Sequence, residues 1–135
     1  MACRLYTIKS KRENVPATVD LVMDFIEVET DISGCDCIRD IKVVLSELLT
    51  NAIIHGNGSN SEKPVDVNVD IEPDIIRIKV TDRGPSFKPD ENMDEDILSE
   101  NGRGLKICHI LCRKLEYSFE QERGNTATAV FYIKE

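Results

Sequence analysis

No stretch of the 135-residue chain is long and apolar enough to cross a bilayer. Its first residues, Met1-Ala2-Cys3-Arg4-Leu5-Tyr6, lack the apolar core of a signal peptide, so the expected location is the cytoplasm. Positive charge is in short supply. Lys and Arg number 17 against 25 Asp and Glu, a net charge of −8, which disfavours a phosphate-backbone partner. No direct nucleic-acid contact and no membrane contact are expected. A small nucleotide is not excluded, because local amides and one divalent cation can outweigh the global field.

Cysteine pairing is also missing. Five cysteines (Cys3, Cys35, Cys37, Cys108 and Cys112) are an odd count without a secretion signal and read as reduced thiols. Neither close pair has the C-x-x-C spacing of a zinc site, and Cys108 and Cys112 read as small core residues on a helix. No internal repeat and no domain boundary is visible. With 41% apolar residues the chain suits one domain with one core.

Leu5, Tyr6 and Ile8 mark a first strand over about 3–10. Asn14 is placed to cap a helix with Pro16 in its first turn, and Val15, Val19, Val22, Phe25 and Ile26 form its buried stripe. The same helix carries Asp20, Asp24, Glu27 and Glu29, an acidic face that is solvated or docks a basic partner. A second helix begins near Asp36, with Ile38, Ile41, Leu45, Leu48 and Ala52 on one stripe. Gly56, Asn57 and Gly58 are expected to stop it. Val65 to Ile71 and Ile76 to Val80 alternate apolar with polar and make a hairpin. Its wet faces set Asp66 and Asp70 against Arg77 and Lys79. Residues 88–101 are acidic, hold few apolar side chains, and read as a mobile lid. A third helix opens at Gly102-Arg103-Gly104-Leu105. Leu115, Tyr117 and Phe119 then make one strand, and Ala127, Ala129, Phe131 and Ile133 the last.

Three features stand out for chemistry. Glu47 and Asn51 are four residues apart, so they share a helix face beside the apolar stripe. A carboxylate can take a proton, and an amide oxygen suits Mg²⁺. Asp82 ends a strand and is followed by a glycine turn, the position from which site residues are aimed into a crevice. Gly102 and Gly104 at a helix start let backbone N–H groups approach an anion. Taken singly, each is an ordinary solvated face, turn or flexible helix start.

In this order the three resemble the motifs of the histidine-kinase-like (GHKL, Bergerat-fold) ATPases, most closely their small anti-sigma factor serine/threonine kinases. The resemblance covers nearly the whole chain. Glu47-Leu48-Leu49-Thr50-Asn51-Ala52-Ile53-Ile54-His55-Gly56 is similar to the N box. Asp82-Arg83-Gly84 resembles the first glycine box, Gly102-Arg103-Gly104-Leu105 the second, and Gly124-Asn125-Thr126 the last. Ser86 stands where the first box often has its second glycine, and the first helix has no arginine.

The resemblance implies an α/β two-layer sandwich, a mixed, mostly antiparallel sheet with three helices on one face. It implies a single ATPase domain over 1–135, with an ATP lid at about 88–101. It implies that Asn51 holds Mg²⁺ and that Asp82 accepts from the adenine amino group. Gly84 would admit the base, while Gly102 and Gly104, with Arg103 nearby, would wrap the phosphates. His55, Phe87, Leu105 and Thr126 would complete the nucleotide contacts, and Glu47 would be the general base. The implied activity is an ATP-dependent protein serine/threonine kinase acting as an anti-sigma regulatory factor. Its substrate would be an anti-anti-sigma (STAS) protein, with a sigma factor as second partner and a homodimer as an open alternative. The rivals are a non-catalytic ATP-binding switch, a histidine kinase fragment and a bare hydrolase.

Overall fold

A computed structural model describes residues 1–32, 36–85 and 103–133. The lid segment at 88–101 lies outside the described residues. In chain order the elements are β1 (Ala2–Lys9), α1 (Asn14–Glu29), α2 (Asp36–Asn51), β2 (Pro64–Ile71), β3 (Ile75–Thr81), α3 (Arg103–Leu111), β4 (Lys114–Glu120) and β5 (Gly124–Tyr132). The strands form one sheet in the order β1-β2-β3-β5-β4. All four pairings are antiparallel, so the described sheet is fully antiparallel where a mixed one was expected. The hairpin β2–β3 is present, but β5 adds to β3, and β4 takes the outer edge.

Alternation sorts the sheet into two faces. Val65, Val67, Val69 and Ile71 on β2, Ile76, Ile78 and Val80 on β3, and Ala129 and Phe131 on β5 turn into a single core. The helices supply Val22, Ile26, Ile41, Val44, Leu45 and Leu49, all essentially without solvent contact. Each such side chain contributes about 1.5–3 kcal/mol over leaving it exposed. Every member expected of the α1 stripe is buried, as are Ile41, Leu45 and Leu48 of α2 and Ala52 just beyond it, while Ile38 is half-buried. Cys108 and Cys112 lie in this core, as expected from the sequence. Asp20, Asp24, Glu27 and Glu29 are exposed on α1. Among the described residues no helix is long and apolar enough to cross a membrane.

Three local expectations change. Asn14 does not cap α1: the chain turns at 11–14, where the N–H groups of Asn14 and Val15 already bond to Lys11 and Arg12 carbonyls. The Asn14 amide instead donates to Lys9 O at 3.0 Å, tying the helix start to the end of β1. The cross-strand charges also differ. Asp70 does face Arg77, but Lys79 faces Asn68 and Asp66 faces Thr81. Asp66 pairs with Arg83 at 2.7 Å, because Arg83 follows β3 on the open face of the sheet. Finally, α2 does not stop cleanly at its glycine. Ala52–Gly56 widens into a π-type turn, closed by Asn57 N–H to Ala52 O at 2.8 Å.

Asn57 then locks three chain segments together. It is 3% exposed. Its Nδ2 donates to Ser10 Oγ at 2.8 Å and to the carbonyls of Lys63 and Pro64 at 3.2 and 3.0 Å. Its Oδ1 accepts from Arg83 N–H at 2.6 Å. The end of β1, the start of β2 and the loop after β3 therefore meet on one side chain. Asn57→Ala strands these groups in a buried place and is expected to lower unfolding stability by about 2–4 kcal/mol. Urea denaturation measures it, and a loss below about 0.5 kcal/mol, the range of ordinary surface changes, would remove Asn57 from this role.

Candidate functional site

The end of α2 and the turn after it face two ways. Leu48 and Ala52 are buried, while Glu47 and Asn51, one turn apart, are half-buried, Asn51 on the wall of a cleft. The cleft lies between α2, its π-type turn, the start of α3, the end of β3 and the start of β5. Leu48, Asn51, Ala52, His55, Gly56, Val80, Asp82, Leu105, Tyr117, Asn125, Thr126 and Ala127 line it. Most of that lining is apolar, with a few convergent polar groups, the usual character of a small-ligand site.

Asp82 is the fixed point of the cleft. It follows Thr81, the last residue of β3, and alternation returns its side chain to the helix side at 7% exposure. Its Oδ1 accepts from Gly84 N–H at 2.8 Å and from Asn125 Nδ2 at 3.0 Å. Asp82 N–H in turn donates to Asn125 O at 2.9 Å. Asn125 Nδ2 also donates to Pro85 O at 2.7 Å, so one amide holds both the carboxylate and the loop behind it. Three glycines close on this group. A Cβ on Gly56 would strike the Asp82 carboxylate, one on Gly124 the Asp82 carbonyl oxygen, and one on Gly84 the Gly56 carbonyl oxygen. Gly124 also has φ +97°, which L side chains rarely adopt. These glycines let three backbone segments converge on one carboxylate.

Glu47 lies at the other end. Its carboxylate rests against the Cα of Gly104, where a Cβ would collide with it. That is the first turn of α3, whose N–H groups point outward and favour negative charge. Beneath the α2–α3 seam, burial and the Glu47 carboxylate push the Cys108 thiol up to about 12. It is a packing residue and no nucleophile at neutral pH. Two polar atoms around the cleft are buried without a hydrogen-bond partner among the described residues: Asn51 Nδ2 and the Tyr117 hydroxyl.

The structure thus brings Asn51, His55, Asp82, Leu105 and Thr126 to one cleft, with Gly84 behind Asp82 and Gly104 against Glu47. His55 is exposed at its rim. Thr126 borders the cleft, but its hydroxyl bonds Thr81 Oγ1 at 3.0 Å. The polar side chain that β5 extends to Asp82 belongs to Asn125. A count by twos back from the buried Phe131 and Ala129 reaches Asn125, so that signal was present in the sequence. Tyr117 and Gly56 are further lining residues given no site role from the sequence. Phe87, Gly102 and the side chain of Arg103 lie outside the described residues.

A family model described as the histidine kinase-like ATPase domain matches residues 8–131. The chain belongs to that family. Among curated relatives, a serine-protein kinase RsbW of Staphylococcus epidermidis is 33% identical over 110 residues, covering 73% of this chain and 68% of that protein. An anti-sigma F factor of Clostridium perfringens is 32% identical over 93 residues, covering 64% and 66%. Among solved structures, a histidine kinase domain of the blue-light activated histidine kinase of Erythrobacter litoralis EL346 matches with a TM-score of 0.53. It is 20% identical and covers 70% of this chain and 44% of that one, a likeness of fold.

The glycine convergence is testable without any ligand. Gly84→Ala sets a methyl against a backbone carbonyl that cannot swing aside, and is expected to cost about 1–3 kcal/mol or more. Gly58 is the control: its φ is +61°, but nothing lies near an added Cβ, so Gly58→Ala carries only the left-handed penalty of about 1 kcal/mol. Equal losses on thermal denaturation would mean that Gly84 is not packed as described.

Proposed function

We propose that the chain is an ATP-dependent protein serine kinase of the anti-sigma type. One observation carries this reading. A carboxylate tied to the backbone (Asp82) and an amide whose nitrogen has no partner among the described residues (Asn51) line one cleft, and a second carboxylate (Glu47), one turn from Asn51 on α2, lies against the start of α3. The curated relatives' names, serine-protein kinase and anti-sigma factor, support it.

Each residue has a separable job. With Oδ1 occupied by Gly84 and Asn125, Asp82 has Oδ2 left to accept from the exocyclic amine of adenine. The missing side chain of Gly84 lets the base lie close to the backbone. Asn51 fits a magnesium site: its buried amide end has no partner, and half a turn about the side-chain axis presents oxygen in place of nitrogen. Mg²⁺, when bound, neutralises charge on the phosphates. The start of α3 at Gly104 offers backbone N–H groups to the same anions. Glu47 accepts the proton of the attacking serine hydroxyl. The serine oxygen bonds to the terminal phosphorus, the bond from that phosphorus to the bridging oxygen breaks, and ADP leaves. Little else is required, since phosphoryl transfer depends mainly on positioning and charge stabilisation. The serine belongs to an anti-anti-sigma (STAS) protein, and the second partner is a sigma factor.

Nucleotide choice tests the base contact. Guanine carries a carbonyl oxygen where adenine has its amine, so GTP would face Asp82 with an acceptor. GTP is expected to bind about 2–4 kcal/mol more weakly than ATP, and equal affinities in calorimetry would overturn the role of Asp82.

Chemistry and binding separate at Glu47 and Asn51. Asn51→Ala should abolish Mg-ATP binding and transfer together. Glu47→Gln keeps the shape but cannot take a proton. It should bind ATP nearly as well while transfer falls by about 10²–10⁴-fold. Intact mass of a STAS protein after incubation with Mg-ATP reads the transfer. Full transfer by Glu47→Gln would sink the general-base assignment. A wild type that binds ATP yet phosphorylates no STAS protein would replace the kinase with a nucleotide-gated switch.

A further inference from the structure

Tyr117 stands on β4, opposite Ala127 of β5. It shares the inward face with Ala127 and, two residues back along β5, with Asn125, the residue that holds Asp82. Its ring lines the cleft, and its hydroxyl is buried without a partner among the described residues. The nearest titratable neighbours offer no relief. Burial, then the thiols of Cys108 and Cys112, raise its pKa, so the hydroxyl stays protonated at any physiological pH. A tyrosine buried in a cleft normally finds a partner for its O–H. A phenylalanine would fill the same space and leave no polar atom stranded.

We propose that Tyr117 is a nucleotide contact, its hydroxyl donating a hydrogen bond to the adenine nucleotide from the sheet floor of the cleft. The inference rests on the ATP-binding reading of this site. It adds a polar group that none of the family motifs in the sequence includes. The geometry separates the role from simple packing. In the ligand-free protein the hydroxyl is a liability, whereas in the complex it is satisfied. Removing it should therefore move the two states in opposite directions.

The experiment is Tyr117→Phe on the full chain, with Mg-ADP as the probe so that no turnover intervenes. Calorimetry should show Mg-ADP affinity about three- to tenfold weaker than wild type, the usual worth of one hydrogen bond. Differential scanning should show the ligand-free variant melting no lower than wild type, with a smaller upward shift on adding Mg-ADP. Unchanged affinity would overturn the proposal and leave the hydroxyl to a bound water. A variant that fails to fold, or melts clearly lower without ligand, would also overturn it, because the hydroxyl would then have a structural partner. Failure of the wild type to bind Mg-ADP would overturn the reading of the site itself, and is distinguishable because it needs no variant.

Discussion

Everything in the cleft depends on how closely the backbone approaches Asp82. A carboxylate at 7% exposure survives only if its oxygens have partners, and here Gly84 N–H and Asn125 Nδ2 supply them to one oxygen. Those partners reach it because Gly56, Gly84 and Gly124 have no side chains to keep their segments apart. The three glycines come from the end of the α2 region, the loop after β3 and the start of β5. One buried acid therefore sets the mutual positions of three distant parts of the chain. The shape of the cleft and the packing of these segments rest on the same contacts.

Helix α2 connects that point to the rest of the groove. One stripe of it is committed to the core through Ile41, Leu45 and Leu48. The adjacent face is left for Glu47 and Asn51, whose backbone is fixed by that packing. The π-type turn at Ala52–Gly56 extends this arrangement by one unit. It widens the helix where Gly56 must reach Asp82, and Asn57 then anchors the far side through Ser10 and Arg83 N–H. Such widened turns are frequent at functional sites, and here the cause is visible in the contact made.

Much of this was legible in the sequence, for definable reasons. Helical spacing gave the shared face of Glu47 and Asn51, and period-two alternation gave the strands after the first, because both periodicities are local. Asp82 was recognisable as a strand-end residue before a glycine. What stayed hidden depends on partners far along the chain. The Asn14 amide binds Lys9 O because a preceding turn has already satisfied the helix start. Asp66 pairs with Arg83 across the open face, which needs the strand register and the path of the loop. Thr126 lines the cleft where the motif put it, while the contact to Asp82 comes from Asn125 beside it on β5, which takes the strand register and the path of the loop to see.

Asn51 Nδ2 and the Tyr117 hydroxyl, both without a partner among the described residues, make the ligand-free cleft costly. Each leaves an unmet hydrogen bond in a low-dielectric place, a cost of about 1–3 kcal/mol apiece. A ligand that satisfies both recovers that cost on binding, so affinity and stability become coupled through the same atoms. The chain's net charge of −8 points the same way. An anionic ligand gains nothing from the overall field, so the proposed nucleotide binding depends on local groups such as the start of α3.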